Sequence, residues 1–204
     1  MPVGNDLFPR RLFILCSMFL RENEVGGRVA PYLHRGQSVL DLGAGTGRVS
    51  GWLARKTGAL PVLADVVDYG NRRRDLPLLR MDDPYHVPAD DRSFDVVMLL
   101  FALHHNPHEA QGKVLAEAAR LARRLVIVME DTPASRLDLV FNVAWDKVLN
   151  LRHAVPTPFA FRSVDEWREV FDELELAVRH VETYRPKWPT LMTYHHTLFV
   201  LGRD

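Results

Sequence analysis

Val39-Leu40-Asp41-Leu42-Gly43-Ala44-Gly45-Thr46-Gly47 is the stretch on which the reading of this chain turns. Ser38 to Leu42 is a short apolar run carrying one carboxylate, and it reads as a buried strand. Three glycines follow within five residues. From Arg48 to Lys56 the spacing becomes helical, with Val49, Trp52 and Leu53 on one face. Glycines between a strand and a helix let the backbone turn sharply and approach a ligand closely, and the helix N-terminus that follows favours an anionic group. Three of them so close together cost conformational entropy that a plain connection would not need.

Working outward, Pro61-Val62-Leu63-Ala64 is a second strand that ends at Asp65, eighteen residues past Gly47. Leu76 to Met81 is a third, short and holding Pro77. Phe94 to Phe101 is the strongest, because Val96 to Leu100 is unbroken; such a run is buried on both faces, as in a parallel sheet covered by helices. Pro107 to Ala122 reads as a helix and Leu125 to Met129 as a fifth strand ending at Glu130-Asp131. Strands alternating with helices imply right-handed crossovers and a doubly wound sheet. Upstream, residues 7–34 read as helical with a break near Gly26-Gly27. Downstream, Leu137 to Leu151 reads as helical and Pro156-Thr157-Pro158 ends it. Ser163, three residues before Glu166, forms a capping-box pattern for a helix through Leu174. Leu176 to Tyr184 and Tyr194 to Leu201 alternate as two closing strands. The predicted fold is a Rossmann-like α/β sheet of about seven strands, mostly parallel with an antiparallel closing strand and helices on both faces. Residues 1–204 are expected to form one domain, with 1–34 as an N-terminal helical segment.

Composition narrows the function. Lys plus Arg and Asp plus Glu are each 26, so the chain has no overall field to draw a phosphate backbone or an anionic membrane. Arg72-Arg73-Arg74 reads as a solvated helix face. Cys16 is the single cysteine, which excludes an internal disulfide and a zinc site built on thiolates. Arg10-Arg11 precedes an apolar stretch from Leu12 to Leu20. Arg21-Glu22-Asn23-Glu24 then stands where a secretory leader would need small residues. No segment reaches the length of a membrane span. A cytoplasmic protein is expected, with no nucleic-acid or membrane partner.

The glycine spacing selects among nucleoside ligands. Dinucleotide-binding loops place glycines at positions one, three and six; here they occupy one, three and five, with Arg48 at six. Asp41, just before the first glycine, suits an ammonium group and not a pyrophosphate. Asp65 can accept hydrogen bonds from both hydroxyls of a ribose. As a pure ligand contact, Asp65 should matter little to the stability of the ligand-free chain.

Together with Asp82-Asp83, Val87-Pro88, Ser93-Phe94-Asp95-Val96-Val97 and Leu103-His104-His105, these residues closely resemble the class I S-adenosylmethionine-dependent methyltransferases, in particular the group with the methyltransferase type 11 profile. The resemblance implies S-adenosylmethionine as cofactor. Asp41 with Gly43, Ala44, Gly45 and Gly47 would hold its methionine end, and backbone groups near Leu100 and Phe101 would meet the amino group. Asp65 would take the ribose and Val66 would pack on the adenine. Either Asp82 or Asp83 would accept from the adenine amino group. The next residue usually donates its N–H to the ring, and Pro84 has none to give, which favours Asp82.

Methyl transfer from a sulfonium needs mostly positioning, with a base only where the acceptor holds a proton of high pKa. His105 and then His104, after the fourth strand, are the candidate catalytic residues. Residues 132–162 read as a cap over a small-molecule acceptor. Trp145, Phe159 and Phe161 are its candidate substrate contacts, joined by Glu130 from the fifth strand. No Asp/Asn-Pro-Pro-aromatic motif follows strand four, so amino methylation of bases by that route is not expected, and two adjacent histidines make no metal site. Two other classes fit less well: a non-catalytic S-adenosylmethionine-binding regulatory domain, and a nicotinamide-dependent oxidoreductase, whose loop spacing would differ.

Overall fold

A computed structural model describes residues 22–135, 138–140, 143, 158, 160–186 and 195–202. Its centre is a seven-stranded sheet: β1 (Ser38–Leu42), β2 (Leu60–Asp65), β3 (Leu78–Arg80), β4 (Phe94–Leu100), β5 (Ala122–Asp131), β6 (Ala177–Tyr184) and β7 (His196–Gly202). Their spatial order is β3-β2-β1-β4-β5-β7-β6. The pairs β1–β2, β1–β4, β2–β3 and β4–β5 are parallel. Only β7 runs against its neighbours, antiparallel to both β5 and β6. The direction of winding reverses between β1 and β4. Sheets of this kind open a crevice for ligands there, outside the carboxyl ends of the strands.

Alternation along the strands divides the core into two layers. Leu40, Leu42, Val97, Leu99, Val126 and Val128 point to one face, where α3 (His108–Leu121) and α4 (Val164–Glu173) cover them. Val39, Val96, Met98, Ile127 and Met129 point to the other, against α1 (residues 22–29) and α2 (Arg48–Thr57). Each fully buried side chain of this size contributes roughly 1.5–3 kcal/mol, so both layers are needed. α4 starts on the capping box read from the sequence: Ser163 Oγ accepts from the Glu166 N–H while the Glu166 carboxylate accepts from the Ser163 N–H. β7 is buried from end to end because strands flank it on both sides.

Three local expectations change. The helix does not break at Gly26-Gly27, since residues 22–29 are helical throughout. A Cβ on Gly26 would stand 2.4 Å from the Trp52 ring, so that glycine lets α1 lie close against α2. The helix yields instead to a short 3-10 turn at Ala30–Tyr32, where Pro31 sits. Second, β5 begins at Ala122, directly after α3. Ala122 pairs with Phe94 of β4, and the exposed Arg123 and Arg124 mask this first part of the strand in the sequence. Third, Arg72-Arg73-Arg74 lies on the loop between β2 and β3, not on a helix. Arg72 and Arg74 pair with Asp68, and Arg73 with Asp75. Residues 138–140 and 143 are helical. The rest of the helix predicted from Leu137 lies outside the described residues, as do residues 1–21. Among the described residues, no helix is long and apolar enough to cross a membrane.

Candidate active site

The site grows from the carboxyl ends of β1, β2, β4 and β5. Gly43, Gly45 and Gly47 all take positive φ, at 75°, 56° and 69°, a region that L side chains resist. Gly43 also needs its bareness for packing, because a Cβ there would lie 2.7 Å from Ala102 Cβ. Gly45 differs: among the described residues, a Cβ on it would meet nothing within 4 Å. The Gly43 and Ala44 N–H groups both donate to Ala64 O, at 2.8 and 3.2 Å, which ties the loop to the end of β2. Gly47 is the N-cap of α2, and among the described residues no side chain caps that helix end.

Two carboxylates stand beside this loop. Asp41 on β1 is buried, and the Ser50 hydroxyl donates to its Oδ2 at 2.5 Å. Burial pushes its pKa up to about 6; the Ser50 hydrogen bond opposes the rise and the charge of Asp65 adds to it. Asp65 at the end of β2 is also buried. Its Oδ2 accepts the Gly45 N–H at 2.8 Å and its Oδ1 the Val67 N–H at 2.9 Å. It therefore shapes the loop as well as bordering it. Next to it Val66 and Val67 are 39% and 37% exposed, an apolar shelf at the rim.

Asp82 and Asp83 follow β3 on the surface. The two are not equivalent. Asp83 Oδ1 accepts the Tyr85 N–H at 2.8 Å and Asp83 bridges to His86, closing a turn around Pro84. At the end of β4, Leu100 is half-buried and Phe101 has φ 59°, a strained value for a bulky residue. The Phe101 N–H donates to Met129 O at 2.7 Å, and its ring meets His196 edge-on at 4.8 Å.

The histidines separate. His104 is buried, with Nδ1 2.6 Å from Glu130 Oε2, while His105 beside it is half-buried. Their rings lie 4.2 Å apart. Glu130 is wholly buried, and its Oε1 accepts the Leu103 N–H at 2.7 Å. One carboxylate thus fixes both the turn after β4 and the imidazole on it. Phe161 stacks on His104 at 5.1 Å and 23°. Trp145 and Phe159 lie outside the described residues.

Sequence reasoning missed two features. Asp131 and His196 form a buried pair, with Oδ1 to Nδ1 at 2.5 Å, across the β5–β7 ladder. Gln111 of α3 has no exposure at all and bonds to the segment holding Phe161. No local motif marks either one, since pairing of β5 with β7 brings Asp131 to His196 and docking of α3 brings Gln111 to Ala160. Among the described residues, no group of three or more His, Cys, Asp or Glu could hold a metal ion.

Residues 39–124 match a family model described as a methyltransferase domain. Methyltransferase GfsG of Streptomyces halstedii is 33% identical over 116 residues, covering 49% of this chain and 41% of that protein. The chain therefore spans less than half the length of that curated relative. Magnesium protoporphyrin IX methyltransferase from Synechocystis PCC 6803, solved with bound S-adenosylhomocysteine, superposes with a TM-score of 0.65 at 19% identity, over 100% of this chain and 90% of that one. An S-adenosylmethionine-dependent methyltransferase structure from Methanosarcina mazei gives 0.66 at 15% identity, over 86% and 96%. At these identities the two structures speak for the fold. The match to the methyltransferase-domain model falls on the same strands and glycine loop that the geometry singles out.

Proposed function

We propose that this chain transfers a methyl group from S-adenosylmethionine to a small-molecule acceptor, on oxygen, nitrogen or carbon, in the cytoplasm. The observation that carries the reading is the pair of buried carboxylates, Asp41 and Asp65, at the ends of adjacent strands around a loop whose middle glycine has no neighbour among the described residues where a Cβ would stand. The donor set fits the cofactor. Asp41, costly to ionise alone, suits the ammonium of the methionine end. Asp65 keeps lone pairs for ribose hydroxyls beyond the two N–H groups it already accepts. Val66 offers an apolar surface for the adenine, and Asp82 is left for the amino group while Asp83 closes its own turn. Backbone groups at Leu100 and Phe101 complete the methionine end.

Bound there, the cofactor supplies a methyl group already activated on a sulfonium. The protein's work is to orient the acceptor in line and to exclude water. Glu130 holds His104 and Leu103 in place. His105 faces the acceptor and Phe161 offers it an apolar wall of the kind small-ligand pockets carry; Trp145 and Phe159, outside the described residues, are further candidate contacts for it. A proton is taken up only where the acceptor's own pKa is high. Residues 1–204 act as one domain in this reading.

The test has two arms. S-adenosylhomocysteine should raise the melting temperature in proportion to its affinity, and NAD should leave it unchanged; the opposite ranking overturns the cofactor. Labelled S-adenosylmethionine offered with a panel of small metabolites, bulk RNA and a protein mixture should label a metabolite. Label on RNA or protein alone removes the small-molecule acceptor, and binding without any turnover makes the chain a regulatory binder.

A further inference from the structure

Gln111 lies on α3 with no exposure to solvent. Burying an amide is costly unless its donors and acceptor are all used. Here they are. Its Nε2 stands 2.7 Å from Ala160 O, 3.2 Å from Leu103 O and 3.3 Å from Asn106 O, and its Oε1 accepts from Arg162 Nε at 2.6 Å. Two N–H groups serve three carbonyls, so Ala160 takes the best bond and the other two share what remains. The same amide thus grips two residues of the 160–162 strap and the turn after β4.

Three further bonds fasten the strap. The Ala160 N–H donates to His104 O at 3.3 Å. Arg162 Nη2 donates to His108 O at 3.1 Å, and His108 Nε2 donates to Phe161 O at 3.2 Å. Between the two residues that Gln111 grips stands Phe161, whose ring stacks on the His104 imidazole. This stack lies at the carboxyl ends of β4 and β5, the edge where such sheets bind ligands.

On the small-molecule reading above, we infer that Gln111 is a positioning residue of the acceptor pocket. Its amide clasps the strap to the β4–α3 turn and fixes the Phe161 ring over His104, so it sets acceptor affinity and selectivity without contact with the cofactor. A wall held in place before binding loses little freedom when the acceptor arrives.

Gln111→Met keeps the volume and removes every hydrogen bond. Gln111→Glu keeps the Arg162 contact and replaces the N–H groups that face three carbonyls. Arg162→Met, at a half-buried position, leaves the Ala160 bond in place and should give the mildest effect of the same sign. Three quantities are measured: S-adenosylhomocysteine affinity by calorimetry, the His104 ring resonances by NMR, and KM and kcat for each metabolite that the wild type labels. Cofactor affinity should stay within about twofold in all three variants. In the Gln111 variants the His104 resonances should shift as the Phe161 ring current is lost. Acceptor KM should rise about tenfold with a smaller change in kcat, and the preference between large and small acceptors should flatten. A lower melting temperature with unchanged KM and selectivity reduces Gln111 to a structural residue and overturns the inference. If the wild type labels no metabolite, the proposed function fails separately, and unmoved His104 resonances in Gln111→Met would still defeat the clasp.

Discussion

The two ends of the sheet are assembled in different ways. From β1 to β4 the polar contacts that shape the site are short in sequence: Asp41 with Ser50, Asp65 with Val67 and Gly45, Asp83 with Tyr85. From β5 to β7 they are long: Glu130 with His104, Gln111 with Ala160, Thr132 with Thr197, Asp131 with His196. The first region is written in backbone geometry, with positive-φ glycines between one strand and one helix. The second is written in side chains that meet only after β5, β7 and the strap have docked. The difference suggests a division of labour in which the nearly local half serves an invariant cofactor and the long-range half can change with the acceptor.

The largest test of that division is Asp65→Ala. Affinity for S-adenosylhomocysteine should fall by about 1.5–3 kcal/mol, the range for hydrogen bonds to a charged group. The sequence alone predicts little change in the ligand-free chain. The structure predicts otherwise, because the Gly45 and Val67 N–H groups lose their acceptor. A drop of about 1–3 kcal/mol in unfolding free energy should accompany the lost affinity. Unchanged affinity in calorimetry would remove Asp65 from the cofactor half.

Next in size is Glu130→Ala. It strands the buried Leu103 N–H and removes the partner of His104. Stability should fall by about 1–3 kcal/mol, while S-adenosylhomocysteine affinity changes much less and acceptor turnover is lost. Equal losses of cofactor affinity and turnover would show that the two halves are not separable.

Asp41→Asn should act through pH. Its native pKa, raised to about 6, lies above the unfolded value of 3.8. Between those values the native state keeps a proton that the unfolded chain has released. The contribution to stability is therefore full below about pH 4 and falls as pH rises through about 6. The variant should flatten that part of a denaturation-versus-pH curve. In the wild type, affinity for an ammonium-bearing ligand should strengthen as the carboxylate ionises over the same window. A wild-type affinity that does not vary with pH there would take Asp41 out of contact with the ligand. The smallest effect is the contrast between neighbours: Asp82→Ala should weaken cofactor binding more than Asp83→Ala, whose carboxylate serves its own turn. The reverse order would break the argument from Pro84.

Much of the fold was legible because each element announces itself locally. The unbroken run Val96 to Leu100 reports a strand buried on both faces, and Ser163 with Glu166 reports a helix start. Where the reading slipped, a distant partner had overruled local preference. Gly26 looks like a helix breaker until Trp52 is packed against it. Arg123-Arg124 look unlike strand until Phe94 pairs with Ala122.

What the sequence determined by itself was the sheet, its winding and the glycine loop with Asp41 and Asp65, because hydrophobic period and glycine conformational freedom act over a few residues. Only the tertiary structure decided that Glu130 grips His104 and Leu103, that Asp131 meets His196, and that Gln111 ties Phe161 over an imidazole 57 residues earlier in the chain. Those pairings follow from sheet register and helix docking. They are fixed by which buried polar groups can satisfy one another once water has been excluded, and no residue's neighbours in sequence carry that information.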